Sequence, residues 1–136
     1  MNIPELINSL ILHEGYKRGM YKCTAGKPTI GVGHNLENPI SDAAVMQILH
    51  DDIEDCAAEL DRAKPNWRQH NETRQNVLVE MCFNLGMPTM GKFTKMWAAI
   101  DAKNYSETAK QMLQSQWAVQ VGHRAATLSS RMRDGK

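Results

Sequence analysis

Apolar positions recur along this chain with two different periods, and the change of period divides it. From Pro4 to His13, Leu6, Ile7, Leu10 and Ile11 fall on one helical face; Asn2 and Glu5 are spaced as a capping box ahead of them, and Gly15 suits a helix stop. The period then shortens. Met20-Tyr21-Lys22 and Thr29-Ile30-Gly31-Val32 are β-prone runs on either side of Cys23-Thr24-Ala25-Gly26-Lys27-Pro28, a turn-forming segment, and together they predict a hairpin.

Helical spacing returns after Asn38-Pro39. Ser41 stands as N-cap to a helix over 42–62, where Val45, Ile48, Leu49, Ile53 and Leu60 form a stripe that Pro65 ends. Its length of about 20 residues suits a strut joining two lobes. Asn71 caps the next helix, with Val77, Leu78, Met81 and Leu85 on one face and Gly86 at its end, the expected centre of the C-terminal lobe. Phe93, Trp97 and Ile100 mark another helix, Ser106 is expected to cap a third carrying Met112 and Leu113, Trp117 opens a short one, and the last starts near His123. The nine methionines scattered through these patterns read as adaptable core filler. The fold class is therefore α+β and mostly helical.

Composition narrows the function classes. With 136 residues and 42% hydrophobic content the chain can bury one sizeable core, and no apolar run approaches the roughly 20 residues of a membrane span, so no stable membrane insertion is expected. A net charge of +1 gives no reason to expect nucleic acid. Charge is uneven all the same: Asp42, Asp51, Asp52, Glu54, Asp55, Glu59 and Asp61 crowd one helix, whereas Arg124, Arg131, Arg133 and Lys136 make the C-terminal segment basic, a patch able to steer toward an anionic polymer. Met1-Asn2-Ile3-Pro4-Glu5 lacks the basic-then-apolar pattern of a secretory signal, which predicts residence in a cytosol until release. Cys23, Cys56 and Cys82 are odd in number and lack metal-ligand spacing; free thiols are expected, with Cys56 and Cys82 as small core residues.

Reactive side chains concentrate between Glu14 and His34. This run sets a carboxyl at a helix end, then the Cys23 thiol, the Thr29 hydroxyl and the His34 imidazole among five glycines. A carboxyl so placed suits a general acid, and the hairpin lets Cys23 and Thr29 face each other and point back toward it. A free thiol, with pKa about 8.5, needs a stabilising field to ionise near neutrality, for which Lys22, Lys27 and His34 are the nearby candidates.

The run resembles the active-site hairpin of the phage-type (T4-like) lysozymes, the endolysin muramidases. Their motif is Glu, eight residues, Asp or Cys, five residues, then Thr, inside a Glu-Gly and Thr-Ile-Gly-x-Gly-His framework; Glu14, Cys23 and Thr29 meet it, within Thr29-Ile30-Gly31-Val32-Gly33-His34. Residues 71–86, Gly91-Lys92-Phe93-Thr94, Ser115-Gln116-Trp117 and His123-Arg124-Ala125 are similar in order to the family's helical part. The resemblance implies a two-lobed lysozyme-like fold forming a single catalytic domain over 1–136, with 13–40 as the β-rich lobe, 41–64 as the connecting helix, and 1–12 plus 65–136 as the helical lobe. It also implies hydrolysis of the β-1,4 bond between N-acetylmuramic acid and N-acetylglucosamine in peptidoglycan, by a monomer without metal or cofactor. By resemblance Glu14 is the acid, Thr29 holds water, and Cys23 fills the second catalytic position. Arg124 matches an arginine that pairs with the catalytic glutamate, His34 and Asp52 match a histidine and aspartate that pair, and Asn84 matches a cleft-lining amide that binds an N-acetyl group or caps Gly86. Such enzymes are made in the host cytoplasm, pass a holin pore and act on the periplasmic wall. A lytic transglycosylase and a non-catalytic wall-binding module on the same fold are the competing expectations.

Overall fold

A computed structural model describes residues 1–136. The elements in chain order are α1 (Ile3–Glu14), β1 (Lys17–Lys22), β2 (Pro28–Gly31), β3 (His34–Asn35), α2 (Asp42–Ala63), a 3-10 turn (Pro65–Gln69), α3 (Glu72–Leu85), α4 (Met87–Met90), α5 (Thr94–Asp101), α6 (Tyr105–Leu113), α7 (Gln116–Val121) and α8 (His123–Asp134). This is the mostly helical α+β class that the periodicity predicts. By internal contacts the chain forms two compact units, Met1–Val45 and Met46–Lys136, a partition that groups residues 1–12 with the sheet.

In the first unit, Asn2 Oδ1 accepts the Glu5 N–H at 3.1 Å and starts α1, with Pro4 in the first turn where its missing donor costs nothing. The expected apolar stripe forms but stays open: no α1 residue is buried, and Ile3, Leu6, Ile7 and Leu10 all remain exposed. The three strands make one antiparallel sheet in the order β1-β2-β3. Tyr21 pairs with Thr29 and Lys22 with Pro28, and an irregularity between Lys17 and Tyr21 shifts the register toward the Lys17–Gly31 pair. The short third strand, which pairs Ile30 with His34, goes beyond the expected hairpin.

The second unit holds the hydrophobic core. Leu60 of α2, Trp67, Val77, Leu78 and Met81 of α3, Trp97 and Ile100 of α5, Met112 of α6, Trp117 of α7 and Leu128 and Met132 of α8 form one buried cluster. Six of the nine methionines (Met81, Met87, Met90, Met96, Met112 and Met132) are buried, as filler of a core should be. Each tryptophan N–H finds an acceptor: Trp67 on Asp61 at 2.7 Å, Trp97 on the Met90 carbonyl at 2.8 Å, Trp117 on Asn84 at 2.9 Å. Burying an indole without such a partner would forfeit much of what its area contributes. No helix is long and apolar enough to cross a membrane.

The structure adds to two expectations and corrects a third. The α2 stripe is buried only at Leu60; Val45, Ile48, Leu49 and Ile53 are exposed. Pro65 ends α2 but opens a 3-10 turn, where its fixed φ fits the first position and Asp61 ties Arg68 back at 2.8 Å. Helix α6 is capped by Asn104, whose Oδ1 accepts the Glu107 N–H at 3.2 Å; Ser106 already lies inside the helix.

The C-terminal helix is held by a clamp of polar groups. Arg74 donates to the Met132 carbonyl at 2.7 Å and to the Arg133 carbonyl at 2.9 Å, while Asn71 Nδ2 donates to Gly135 O at 3.0 Å. These bonds satisfy carbonyls that the end of α8 leaves without helical partners. Beside the clamp, Arg74 stacks over the Tyr105 ring, and Tyr105 OH meets His70 Nδ1 at 3.0 Å. His70 is 6% exposed; burial first, then the charges of Lys103 and Arg74, against the pull of Asp101, hold its pKa below the ordinary 6.5.

Two outcomes follow from this packing. A Leu78→Ala variant leaves a cavity in the helical core and is expected to lose about 2–5 kcal/mol in urea unfolding. The unfolded chain takes up a proton at residue 70 more readily than the folded one, so the contribution of neutral His70 is complete above pH 6.5 and falls away as the pH drops through that value. Urea midpoints between pH 8 and pH 5, on the order of one unit either side of that point, should decline less in His70→Gln than in the parent.

Candidate active site

Glu14 is the last residue of α1. Gly15 closes the helix, its N–H bonded to the Ile11 carbonyl at 2.9 Å and its φ of +84° turning the chain toward β1. The Glu14 side chain then lies exposed over the turn between β2 and β3. A Cβ on Gly33 would stand 2.9 Å from Glu14 Oε2 and 3.3 Å from its Cδ, and Gly33 also sits at φ +68°. The positive φ favours glycine there, and a side chain at this position would also push the Glu14 carboxylate aside.

Cys23 begins the turn after β1. Its N–H donates to the Lys27 carbonyl at 3.0 Å, and its carbonyl accepts the Gly26 N–H at 2.8 Å. Folding the turn this tightly aims the N–H groups of Lys27 and Ala25 at the half-buried sulfur. Their hydrogen bonds, Lys27 first and then Ala25, outweigh the opposing effect of burial and bring the thiol below its ordinary 9.0, with the Thr29 hydroxyl adding a smaller contribution. The stabilising field thus comes from main-chain dipoles and a hydroxyl, in place of the Lys22, Lys27 or His34 side chains that the sequence suggested. The Lys27 ammonium is turned to Glu37 at 3.3 Å.

Thr29 is 3% exposed, and its Oγ1 donates to the Lys27 carbonyl at 2.9 Å. In the register Thr29 pairs with Tyr21 while Cys23 bonds to Lys27, so Thr29 and Cys23 stand diagonally across the hairpin. His34 lies in β3, half-buried, with Nε2 enclosed and without a hydrogen-bond partner.

The remaining candidates belong to the second unit. Asp52 is on the exposed surface of α2. Asn84, near the end of α3, accepts the Trp117 indole N–H through Oδ1 at 2.9 Å, which leaves its amide N–H groups outward. It does not cap Gly86, whose N–H goes to the Cys82 carbonyl at 2.7 Å. Arg124 of α8 bonds Glu80 Oε1 through both Nε, at 3.1 Å, and Nη2, at 3.0 Å. That pair lies in a groove of about 460 Å³ within the helical unit, walled by Leu49, Ile53, Val79 and Phe83.

Sequence reasoning missed three groups. Glu80, the carboxylate facing Arg124, was signalled by a lone charge between Val79 and Met81 on an apolar helix. Trp117, which orients Asn84, and the turn amides beside Cys23 left no comparable signal, because a main-chain donor looks alike at every position.

Comparison with known proteins places the chain in a family. The family model described as phage lysozyme matches residues 12–134. Two curated relatives from Dictyostelium discoideum are named probable T4-type lysozymes: one is 23% identical with 90% of each chain covered, the other 24% identical with 98% of this chain and 96% of the relative covered. The pre-baseplate central spike protein of Enterobacteria phage T4 is 25% identical over 85% of this chain, which spans only 25% of that longer protein. The chain therefore belongs to the phage lysozyme family.

Proposed function

We propose that this chain is a muramidase that hydrolyses the β-1,4 bond between N-acetylmuramic acid and N-acetylglucosamine in peptidoglycan, and that it serves as an endolysin in host-cell lysis. The observation that carries the reading is the construction of the first unit: a carboxyl seated on glycine at the end of α1, and a thiol whose ionised form is favoured by turn amides beside a buried hydroxyl. Family membership supports it.

Glycoside cleavage needs a proton for the leaving oxygen and a second group that supplies or assists the attacking one. Glu14 is the proton donor. The Cys23 thiolate either draws a proton from the attacking water, which inverts the anomeric centre, or attacks that centre itself, which retains the configuration through a thioglycosyl intermediate. Thr29 Oγ1, which donates to the Lys27 carbonyl, keeps lone pairs to accept a hydrogen bond from the water. Asn84, anchored by Trp117, offers amide N–H groups to an acetamido carbonyl; His34, Asp52 and Arg124 have supporting roles. The reaction requires no cofactor. The protein acts as a monomer, and release from the host cytoplasm to the periplasmic wall passes through a holin pore made by another gene.

Clearing of permeabilised Gram-negative cells measures the activity, and the mass of the released sugars identifies the chemistry. Glu14→Gln should lower the rate by roughly 10²–10⁴, the ordinary worth of a positioned proton donor. Cys23→Ala should fall comparably while Cys23→Asp keeps activity; a fully active Cys23→Ala enzyme removes the thiol from the mechanism. Reducing ends are the expected product. Anhydro sugars would mean a lytic transglycosylase, and binding without cleavage a wall-binding module.

The pH profile gives an independent check. A group that works deprotonated sets the acid limb, so that limb should fall below 9.0 in the parent and move down toward about 4 in Cys23→Asp.

A further inference from the structure

Cys56 on α2 and Cys82 on α3 are both free thiols, and neither takes part in the chemistry assigned to the hairpin. They are 26 residues apart in sequence, yet Cys82 Sγ lies 4.0 Å from the Cys56 carbonyl oxygen, so α2 and α3 bring the two residues side by side. On its other side Cys82 Sγ lies 4.0 Å from Glu59 Oε2. Cys82 is buried, whereas Cys56 is half-buried. Next to Glu59 opens a groove of about 480 Å³ lined also by Arg62, Ala63, Met87, Pro88 and Gly91.

We propose that Cys56 and Cys82 are a redox modification site, a thiol pair that closes to a disulfide between α2 and α3 when the protein meets an oxidising peptide disulfide. In the first step the Cys56 sulfur attacks the disulfide of the oxidant, giving a mixed disulfide and one free thiol. In the second, the Cys82 sulfur attacks the Cys56 sulfur, its proton leaves toward Glu59 Oε2, and the second oxidant thiol departs. Two cysteine thiols are oxidised and one oxidant disulfide is reduced to two thiols, so the electrons balance.

The surroundings set the order of these steps. Burial pushes the Cys82 thiol up to about 12, with the neighbouring Cys56 charge adding to it, and burial also raises Cys56, against the hydrogen bond from Cys82. Thiolate is scarce at both positions, so the pair resists casual oxidation and the more accessible Cys56 leads. Ring closure depends on Cys82 standing beside Cys56 when the mixed disulfide forms. Linking positions 26 residues apart restricts the unfolded chain, and the expected rise in melting temperature is about 10 °C. The biological sense of this switch rests on the reading above, in which the protein passes from a reducing cytosol to an oxidising periplasm; the chemistry does not.

The test is incubation of the full-length protein with oxidised glutathione, followed by mass measurement and peptide mapping without reductant. The expected map shows a 56–82 cross-link whose two peptides together have lost two hydrogens, glutathione on the free Cys23 being counted separately; the cross-linked protein melts higher, and dithiothreitol reverses these changes. Cys82→Ser should instead stop at the glutathione adduct on Cys56. Failure of the folded parent to form the 56–82 link, or accumulation in it of a glutathione adduct on Cys56, overturns the proposal. Mass and melting do not depend on wall lysis, so an inactive enzyme that forms the link defeats the muramidase reading alone, and an active one that does not defeats this inference alone.

Discussion

The approach of the Glu14 carboxylate to the backbone of Gly33 is the constraint around which the candidate site is arranged. A helix end has no intrinsic reason to hold a carboxyl in one direction, since the side chain has rotatable bonds and is exposed. Here the bare Cα of a left-handed glycine gives it a floor, with 2.9 Å to the place a methyl would occupy. Everything that shapes the β2–β3 turn therefore acts on the acid: the Ile30–His34 pairing, the φ of Gly33 and the closing of α1 at Gly15. The thiol depends on the same sheet from its other end, because the Tyr21–Thr29 and Lys22–Pro28 pairs fix where the turn amides point.

This division of labour explains why the two units are built so differently. The second carries the large buried cluster and the clamp on α8, the features that make a rigid body. In the first, Thr29 is the sole buried residue, and it is polar. Hydrogen-bonded turns and a three-stranded sheet, and not apolar packing, hold its geometry. Such a unit aims side chains well but contributes little of the apolar burial that dominates folding free energy.

Much of this was legible in the residues. The hairpin was readable because β-branched and aromatic runs flank a segment of turn formers, and the helix starts because Asn2, Ser41 and Asn71 stand where their side chains meet free N–H groups. At α6 the same rule went astray by two positions, since Asn104 and Ser106 are both competent caps and only the backbone decides between them. The motif residues Glu14, Cys23 and Thr29 were visible as a set. What stayed hidden was the origin of the field on Cys23, which comes from peptide groups that carry no side-chain mark, and the partner of Arg124, which sits on a helix far away in sequence.

The thioether-rich interior has an evolutionary consequence. Unbranched, polarisable side chains at Met81, Met90, Met96, Met112 and Met132 can refill a gap when a neighbour changes size, where a core of branched aliphatics would be left with a hole or a clash. A lineage with such a centre can accept replacements singly, without a compensating partner arising at the same moment.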